Sequence, residues 1–229
     1  MSHESPANLR FAIAIDGPAA SGKSTLAREL AKRLGLVMVN SGEMYRAITW
    51  KALQEGIDPS DEAAVVAMMD RIHIQCGENG MASICTIDGI DPGPELRNEA
   101  INANVSAIAA ISEVRNRLVS LQRNYLDHTS IIMEGRDIGS VVFPDTPFKI
   151  YVDADESVRS ARRSHFGEID SVAKRDAADS ERVHAPLMIA EGAQILDNSH
   201  LTIEAGVEAA IEILKQQGLP EIDEIPSST

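Results

Sequence analysis

The segment Gly17-Pro-Ala-Ala-Ser-Gly-Lys-Ser24 constrains the fold of this 229-residue chain more than any other. It matches the pattern G-x-x-x-x-G-K-[ST] in full, with an apolar run at 11–16 before it and Leu26, Leu30 and Leu34 at helical spacing after it. Glycines let a backbone wrap closely around phosphate oxygens, and the N–H groups at the start of a helix face negative charge. The segment therefore predicts a strand, a phosphate-binding loop and a helix in succession.

The individual residues of this loop have predictable roles toward a nucleoside triphosphate and its metal. The Lys23 ammonium is expected to reach the β- and γ-phosphates, and the Ser24 hydroxyl to ligate Mg²⁺. The predicted ATP-binding residues are contiguous: Gly17, Pro18, Ala19, Ala20, Ser21, Gly22, Lys23, Ser24 and Thr25. The loop alone does not distinguish kinases from GTPases, ATPases or passive nucleotide-binding modules, although the absence of a guanine-binding Asn-Lys-x-Asp counts against a GTPase.

Apolar runs alternate with segments of helical spacing along most of the chain. Further strands are predicted at 36–40, 130–133, 148–152 and 194–197, and helices at 25–34, 42–53, from 156 onward and at 203–217. Such alternation predicts a parallel sheet covered by helices on both faces. The expected fold class is α/β, of the P-loop NTP hydrolase type.

Residues 57–97 contain two short strand-like runs separated by turn residues, which predicts a small β-containing insertion. A helix is expected at 61–70, followed by strands at 72–76 and 83–87 with turn residues at 77–80 between them. Helical spacing returns over 95–126, with a break around Ile111 and Ser112. The predicted organisation is a kinase core of 11–56 and 98–217, the insertion 57–97, and tails at 1–10 and 218–229.

The charge balance excludes several kinds of partner. With 21 Lys and Arg against 35 Asp and Glu, the net charge is −14, and so acidic a surface repels nucleic acid and anionic membranes. The first ten residues are polar and no run has the length of a membrane span, so a cytoplasmic protein is expected. Cys76 and Cys85 lack zinc-ligand spacing and are expected to be reduced thiols.

Arginines near the predicted strand ends indicate a second anion site. A phosphoryl acceptor that is itself a phosphate requires cations to neutralise donor and acceptor and to align them. Because ligands bind at the carboxyl ends of strands in open α/β sheets, we expect one rim to collect Ser41, Arg46, Glu134, Arg136 and Asp137. A later segment contains four more arginines, Arg162, Arg163, Arg175 and Arg182. They form either an ordinary charged helix face or a mobile arm that brings positive charge over the transferring phosphate.

Several segments together resemble bacterial cytidylate kinase over about residues 11–217. Besides the loop, they are Ser41-Gly-x-x-Tyr-Arg46, Glu134-Gly-Arg-Asp-Ile-Gly139, Val142-Phe-Pro-Asp145 and Arg175-Asp-x-x-Asp-Ser-x-Arg182-x-x-Ala-Pro-Leu187. The resemblance implies a nucleoside monophosphate kinase fold with an enlarged monophosphate-binding region and a lid at about 162–182. It also implies a monomer that transfers the γ-phosphoryl group of ATP to CMP or dCMP with Mg²⁺.

The resemblance assigns roles to residues of this chain. The CMP phosphate would be held by Ser41, Arg46 and Arg136. The cytosine edge would be contacted by Ser106, Arg115 and Asp137. The ribose and phosphate would be positioned by Arg175 and Asp179. Arg163 would contact ATP, and the catalytic cations would be Lys23, Arg136, Arg162 and Arg182. An Asp can accept from the cytosine amino group, whereas uracil presents a carbonyl at that position.

Two departures from the family pattern bear on the metal and on the lid. The family usually has Asp where this chain has Asn40, and a carboxylate there would help to hold Mg²⁺ through water. Only residues 164–174 separate Arg163 from Arg175, which is shorter than the usual lid. A shorter lid predicts shallower closure and more ATP hydrolysis.

Two alternatives remain at the level of sequence. Another small P-loop kinase could act on UMP, AMP or a metabolite alcohol, and an alcohol acceptor would require a carboxylate base, for which Asp16 is a candidate. A nucleotide-binding module without turnover is the other alternative, although it would not require so many arginines around a second anion site.

Overall fold

The computed structural model describes residues 10–165, 176–177, 179–180 and 185–220. Within them, one seven-stranded sheet has the order β3-β4-β2-β5-β1-β6-β7. The strands are β1 Ala12–Asp16, β2 Val37–Asn40, β3 Ile74–Asn79, β4 Ala82–Ile87, β5 Ile131–Gly135, β6 Lys149–Asp153 and β7 Gln194–Asp197. All neighbouring pairs are parallel except β3 and β4. The predicted α/β fold with a parallel sheet is confirmed.

Helices connect these strands, and three of them begin with a side-chain cap, from Asp61, Asn98 and Thr202. The helices are α1 Lys23–Leu34, α2 Ser41–Gln54, α3 Glu62–Met69, α4 Glu99–Ala110, α5 Ser112–Arg123, α6 Glu156–His165 and α7 Ile203–Gln216. Gly35 ends α1 in the left-handed conformation, with its N–H donating to the Ala31 carbonyl. The predicted break near Ile111 is confirmed, because Ile111 is extended (ψ 117°) between α4 and α5.

Both faces of the sheet are buried at its central strands. The central strands β1 and β5 are buried at every position. On one face, α1 and α7 cover Ile13, Ile15 and Ile132. On the other face, Ala14 and Met133 pack with residues from a short helical turn, Ile138–Val142. Each fully buried aliphatic side chain contributes about 1.5–3 kcal/mol, so this two-sided core fixes the strand ends that carry polar residues.

The β3–β4 hairpin lies at one edge of the sheet and differs in detail from the sequence prediction. Strand β3 continues through Asn79, and the turn consists of Gly80 and Met81 rather than 77–80. Gly80 has φ of +64°, and a two-residue hairpin loop requires such a left-handed residue. The Met38 N–H donates to the Met81 carbonyl (2.8 Å), which joins the hairpin to β2.

The carboxyl ends of β1, β2 and β5 lie side by side at one edge of the sheet. Asp16 pairs in register with Gly135, and Asn40 with Glu134. This alignment brings together the phosphate-binding loop after β1, the start of α2 after β2, and the polar segment after β5. In the described part of the chain, no helix combines the length and the apolar character needed to cross a membrane.

Candidate active site

A cleft of about 710 Å³ runs along the carboxyl edge of the sheet. Most of the residues predicted from sequence line it: Ala19, Ala20, Gly22, Lys23, Ser24, Thr25, Ser41, Arg46, Ser106, Arg115, Arg136, Asp137, Arg162, Arg163 and Asp179. Gly17, Pro18 and Ser21 belong to the same loop but do not line the cleft. The predicted Arg175 and Arg182 lie outside the described residues.

The loop between β1 and α1 forms one end of the cleft, and its shape depends on glycine. Gly22 has φ of +93°, and a Cβ on it would lie 2.3 Å from the Asn198 Nδ2 atom. A Cβ on Gly17 would lie 2.1 Å from the Val152 carbonyl oxygen. No side chain fits at either position, so the loop can hold this curvature only with glycine there.

The Lys23 and Ser24 side chains of the loop are directed to specific partners. The buried Lys23 Nζ donates to the Pro18 carbonyl (3.0 Å), which holds the ammonium over the loop. The Ser24 Oγ donates to the Glu134 Oε1 atom at 2.7 Å. Glu134 is the penultimate residue of β5 and is buried, so a hydroxyl and a carboxylate meet at the start of α1.

Groups from α6 and from the segment after β7 hold the loop from outside. Arg162 donates to the Ser21 carbonyl (3.1 Å) and to the Asn198 carbonyl (2.8 Å). The Asn198 Nδ2 also donates to the Ser21 carbonyl, at 2.8 Å. Asn198 was not predicted from sequence, because nothing in the local pattern after β7 indicates a contact with a loop that lies 177 residues earlier.

Two further residues at the loop were also missed. The Asp176 carboxylate accepts from the Ala19 N–H (2.9 Å) and forms an ion pair with Arg159. Arg159 in turn donates to the Ala19 carbonyl at 3.3 Å. Arg159 lies three and four residues before Arg162 and Arg163, so helical spacing could have identified it as a third arginine on the same face of α6.

Arginines and a serine form the opposite end of the cleft. The Ser41 Oγ donates to the Glu134 carbonyl (2.8 Å), which fixes the start of α2 against β5. Arg46 donates to the Leu96 carbonyl at 2.9 Å and to the Asn102 Oδ1 at 2.7 Å. These bonds orient the Arg46 guanidinium at the rim of the cleft.

Arg136 follows β5 directly and is held by a carboxylate. Its Nε donates to the Asp179 Oδ2 at 2.8 Å, and the Asp179 side chain is only 3% exposed. Burial alone would lower the pKa of Arg136, but the adjacent Asp179 carboxylate raises it, so the guanidinium stays charged. A permanent cation therefore lies at this end of the cleft.

Arg115 of α5 and Asp137 are also buried at this end of the cleft, where they form an ion pair. Arg115 also donates to the Ala109 carbonyl (3.2 Å), and its guanidinium carbon lies 5.5 Å from the centre of the Tyr45 ring. Ser106 of α4 lines the same part of the cleft. A planar cation, a carboxylate and a hydroxyl are thus available to a flat polar ligand.

Asp16 does not line the cleft, although sequence alone made it a candidate base for an alcohol acceptor. Its carboxylate accepts from the backbone N–H groups of Ile138 (2.8 Å) and Gly139 (2.7 Å). Burial raises the pKa of Asp16 to about 7, and these two N–H groups act in the opposite direction. The structure therefore gives Asp16 a role toward the segment after β5 rather than toward a substrate.

Comparison with known proteins identifies the family of this chain. The family model described as cytidylate kinase matches residues 13–216. A cytidylate kinase of Streptomyces avermitilis is 38% identical over 216 residues, covering 90% of this chain and 93% of its own. One from Caldanaerobacter subterraneus subsp. tengcongensis is 39% identical over 227 residues (94% and 99%), and one from Clostridium botulinum is 36% identical over 219 residues (91% and 99%).

Proposed function

The chain belongs to the cytidylate kinase family, and from this premise we propose that it transfers the γ-phosphoryl group of ATP to CMP or dCMP, giving CDP or dCDP. One observation carries the proposal at the level of residues. A single cleft has a glycine-dependent phosphate loop at one end, and paired arginines with a buried Arg115–Asp137 ion pair at the other. We assign the first end to a triphosphate donor and the second to a monophosphate acceptor.

At the donor end, the loop residues 17–25 would bind the ATP phosphates through backbone N–H groups. Lys23 would neutralise charge on the β- and γ-phosphates, and Arg163 of α6, which lines the cleft, would contact ATP. The contacts that Arg162 makes with the Ser21 carbonyl support a role in shaping this end as well as the proposed catalytic one. Arg182 is proposed as a catalytic cation on the family resemblance alone.

At the acceptor end, Ser41, Arg46 and Arg136 would hold the CMP phosphate. Arginine suits this role because its planar fork can bind two phosphate oxygens at once. Asp179, which already holds Arg136, would also position the ribose, and Arg175 is proposed alongside it from the family resemblance. Fixing both phosphates before reaction lowers the entropic barrier to in-line transfer.

The cytosine edge would be recognised by Ser106, Arg115 and Asp137. The Asp137 carboxylate can accept from the cytosine amino group, and Arg115 can donate to the ring nitrogen and carbonyl. Uracil would place a carbonyl against Asp137, and an unpaired buried polar contact costs about 1–3 kcal/mol. That difference is enough to prefer CMP clearly over UMP.

Mg²⁺ is proposed at the start of α1, where the Ser24 hydroxyl and the Glu134 carboxylate meet at 2.7 Å. Two oxygen donors suit this ion, which typically takes one or two protein oxygens and completes its shell with phosphates and water. When bound, Mg²⁺ would neutralise charge on the phosphates. The described residues contain no cluster of three or more His, Cys, Asp or Glu side chains that could hold a metal without a substrate.

The chemistry requires positioning rather than a base. The acceptor oxygen belongs to an ionised phosphate, so no side chain has to remove a proton before attack. Lys23 and Arg136 would stabilise the charge on the transferring group and the acceptor, where fixed cations act more strongly than in water. The occupied carboxylate of Asp16 agrees with this, because the alcohol-kinase alternative required a base.

We further propose that the enzyme works as a cytoplasmic monomer on small nucleotides, without nucleic acid or membrane partners. The net charge of −14 supports the absence of nucleic acid and membrane partners, because nucleic acids and most membrane surfaces are anionic. Light scattering of the purified protein across a range of concentrations tests the oligomeric state. A constant mass equal to that of a dimer would contradict the monomer.

The experiment for the reaction is coupled ADP release with ATP, Mg²⁺ and, in parallel, CMP, dCMP, UMP, AMP and GMP. Fast turnover with CMP and dCMP and slow turnover with UMP is the expected result. Equal rates with UMP would leave a kinase but contradict the assignment of Asp137. Absence of turnover with all five acceptors would contradict the substrate assignment.

A further inference from the structure

The helical turn Ile138–Val142 begins directly after Asp137, which occupies its N-cap position. The first N–H groups of a helical segment have no partner within it, and an Asp at the N-cap usually accepts from them. Asp137 makes no such capping bond. Its carboxylate forms an ion pair with Arg115 instead.

The missing cap is supplied by Asp16, from the end of the neighbouring strand β1. One carboxylate oxygen accepts from the Ile138 N–H at 2.8 Å, and the other from the Gly139 N–H at 2.7 Å. Asp16 lies 122 residues before Ile138 and is only 4% exposed. Both oxygens of one buried carboxylate are thus used on two consecutive N–H groups.

The packing around Gly139 leaves the carboxylate little room elsewhere. A Cβ on Gly139 would lie 3.3 Å from the Asp16 Oδ2 and 3.2 Å from the Lys149 Cδ atom. Contacts of that length are tighter than ordinary van der Waals contact, so even one methyl group would press on the carboxylate. The absence of a side chain at Gly139 allows the close approach of Asp16 to the turn.

We propose that Asp16 is a positioning residue for substrate selection: it caps the turn after β5, so that the Asp137 carboxylate can pair with Arg115 and accept from the cytosine amino group. This proposal rests on the proposed function. Without the Asp16 carboxylate, the buried N–H groups of Ile138 and Gly139 would lose their acceptor. The nearest carboxylate that could replace it is that of Asp137, which occupies the N-cap position. Because an unsatisfied buried donor is costly, Asp137 would turn toward its own helical turn and away from the acceptor end of the cleft.

The proposal predicts a change in selectivity, which general destabilisation would not produce. Asp16→Asn keeps the shape of the side chain but offers one carbonyl oxygen for two N–H groups, and its amide is itself a donor. We expect the ratio of kcat/KM for CMP to kcat/KM for UMP to fall by about tenfold, mainly through slower use of CMP. In a crystal structure of this variant, the Asp137 carboxylate should accept from the Gly139 N–H.

A matched control is available at another helix cap. The Asp61 carboxylate caps α3 by accepting from the Ala64 N–H at 3.0 Å, and it does not line the cleft. Asp61→Asn should lower thermal stability slightly and leave the CMP to UMP ratio unchanged. If Asp16→Asn does not fold, Gly139→Ala keeps the carboxylate but displaces it, and it should lower the same ratio by a smaller factor.

Asp137→Asn, measured in parallel, separates this proposal from the proposed function. If Asp137→Asn loses the preference for CMP while Asp16→Asn and Gly139→Ala keep it, only the role of Asp16 is overturned. A wild-type enzyme that uses CMP and UMP equally would overturn the cytosine assignment, and the role of Asp16 with it. A folded Asp16→Asn protein that loses activity equally with CMP and UMP would also overturn the proposal.

Discussion

The two ends of the cleft are formed by different parts of the chain, one mainly by backbone groups and the other by side chains. The donor end is formed largely by backbone from one contiguous segment, 17–24, in which Gly17 and Gly22 adopt conformations that other residues cannot. The acceptor end is formed by side chains from α2, α4, α5 and the segment after β5. The phosphate loop is therefore a contiguous segment that Arg162, Asn198 and Asp176 hold in place. The acceptor end exists only when distant elements have packed together.

This difference separates the two tasks that we propose for the site. Backbone N–H groups bind any polyphosphate alike, so the donor end supplies general phosphate binding. At the acceptor end, carboxylates and carbonyl groups hold each cation in advance: Asp179 holds Arg136, Asp137 holds Arg115, and the Leu96 carbonyl holds Arg46. Such preorganisation makes specificity depend on individual side chains. We therefore expect substitutions at the donor end to affect all acceptors alike, and substitutions at the acceptor end to affect the use of CMP.

The largest effect is expected from Lys23→Ala at the donor end. Because Lys23 is the cation of the loop, its loss should lower kcat by about 10³-fold for CMP and UMP alike, with an unchanged ratio between them. Coupled ADP release measures both. Lys32→Ala, which removes an exposed lysine from the same helix, is the control and should retain full activity. A changed CMP to UMP ratio in Lys23→Ala would break the division between the two ends.

The next largest effect is expected from Arg136→Lys at the acceptor end. Lysine keeps the charge beside Asp179 but lacks the planar fork, so we expect kcat/KM for CMP to fall about 10²-fold while the KM for ATP stays within about twofold. Initial rates with each nucleotide varied in turn measure the two constants. Arg117→Lys is the control, because Arg117 also donates to carboxylates, those of Asp70 and Glu113, but does not line the cleft. A parallel rise in the KM for ATP would show that the ends are not separable.

The same difference explains how much could be predicted from the sequence. The loop 17–24 is local, so its conformation and flanking elements could be predicted from contiguous residues. The fold class could also be predicted, because the spacing of apolar residues indicates which face of a strand or helix is buried. The capping of the turn by Asp16 could not be predicted, since its N–H partners lie 122 and 123 residues later and depend on which strands are neighbours.

Smaller deviations have local causes. The turn of the β3–β4 hairpin was predicted at 77–80 because Gly77 and Gly80 both favour turns. Pairing of Cys76 with Cys85 and of Asn79 with Ala82 extends the strand past Gly77, so that only Gly80 is needed in the left-handed conformation. Tertiary pairing therefore overrode a local turn preference.

A moderate effect is expected from Asp176→Asn, which tests whether the donor end also depends on side chains. Asn can still accept from the Ala19 N–H but cannot form the ion pair with Arg159. Loss of a charge-assisted contact should raise the KM for ATP by about tenfold and leave the KM for CMP nearly unchanged. Asp58→Asn is the control, because its carboxylate accepts only from nearby Ser60 in the described contacts. An unchanged KM for ATP would mean that the backbone of the loop holds its shape without this pair.

The smallest effect is expected from Asn40→Asp, at the boundary between the two ends. Asn40 is the last residue of β2, beside Glu134, and its Nδ2 donates to the Glu43 Oε1 at 3.3 Å. A carboxylate there would lose this bond but add negative charge near the proposed Mg²⁺ site, where attraction through water amounts to about 0.2–1 kcal/mol. We expect the Mg²⁺ concentration for half-maximal activity to fall by about threefold, with the CMP to UMP ratio unchanged. A titration of activity with Mg²⁺ at fixed ATP measures this, and Asp61→Asn serves as the remote control. A higher Mg²⁺ requirement would mean that repulsion with Glu43 outweighs the added charge and that the neutral Asn40 is the better neighbour for the metal.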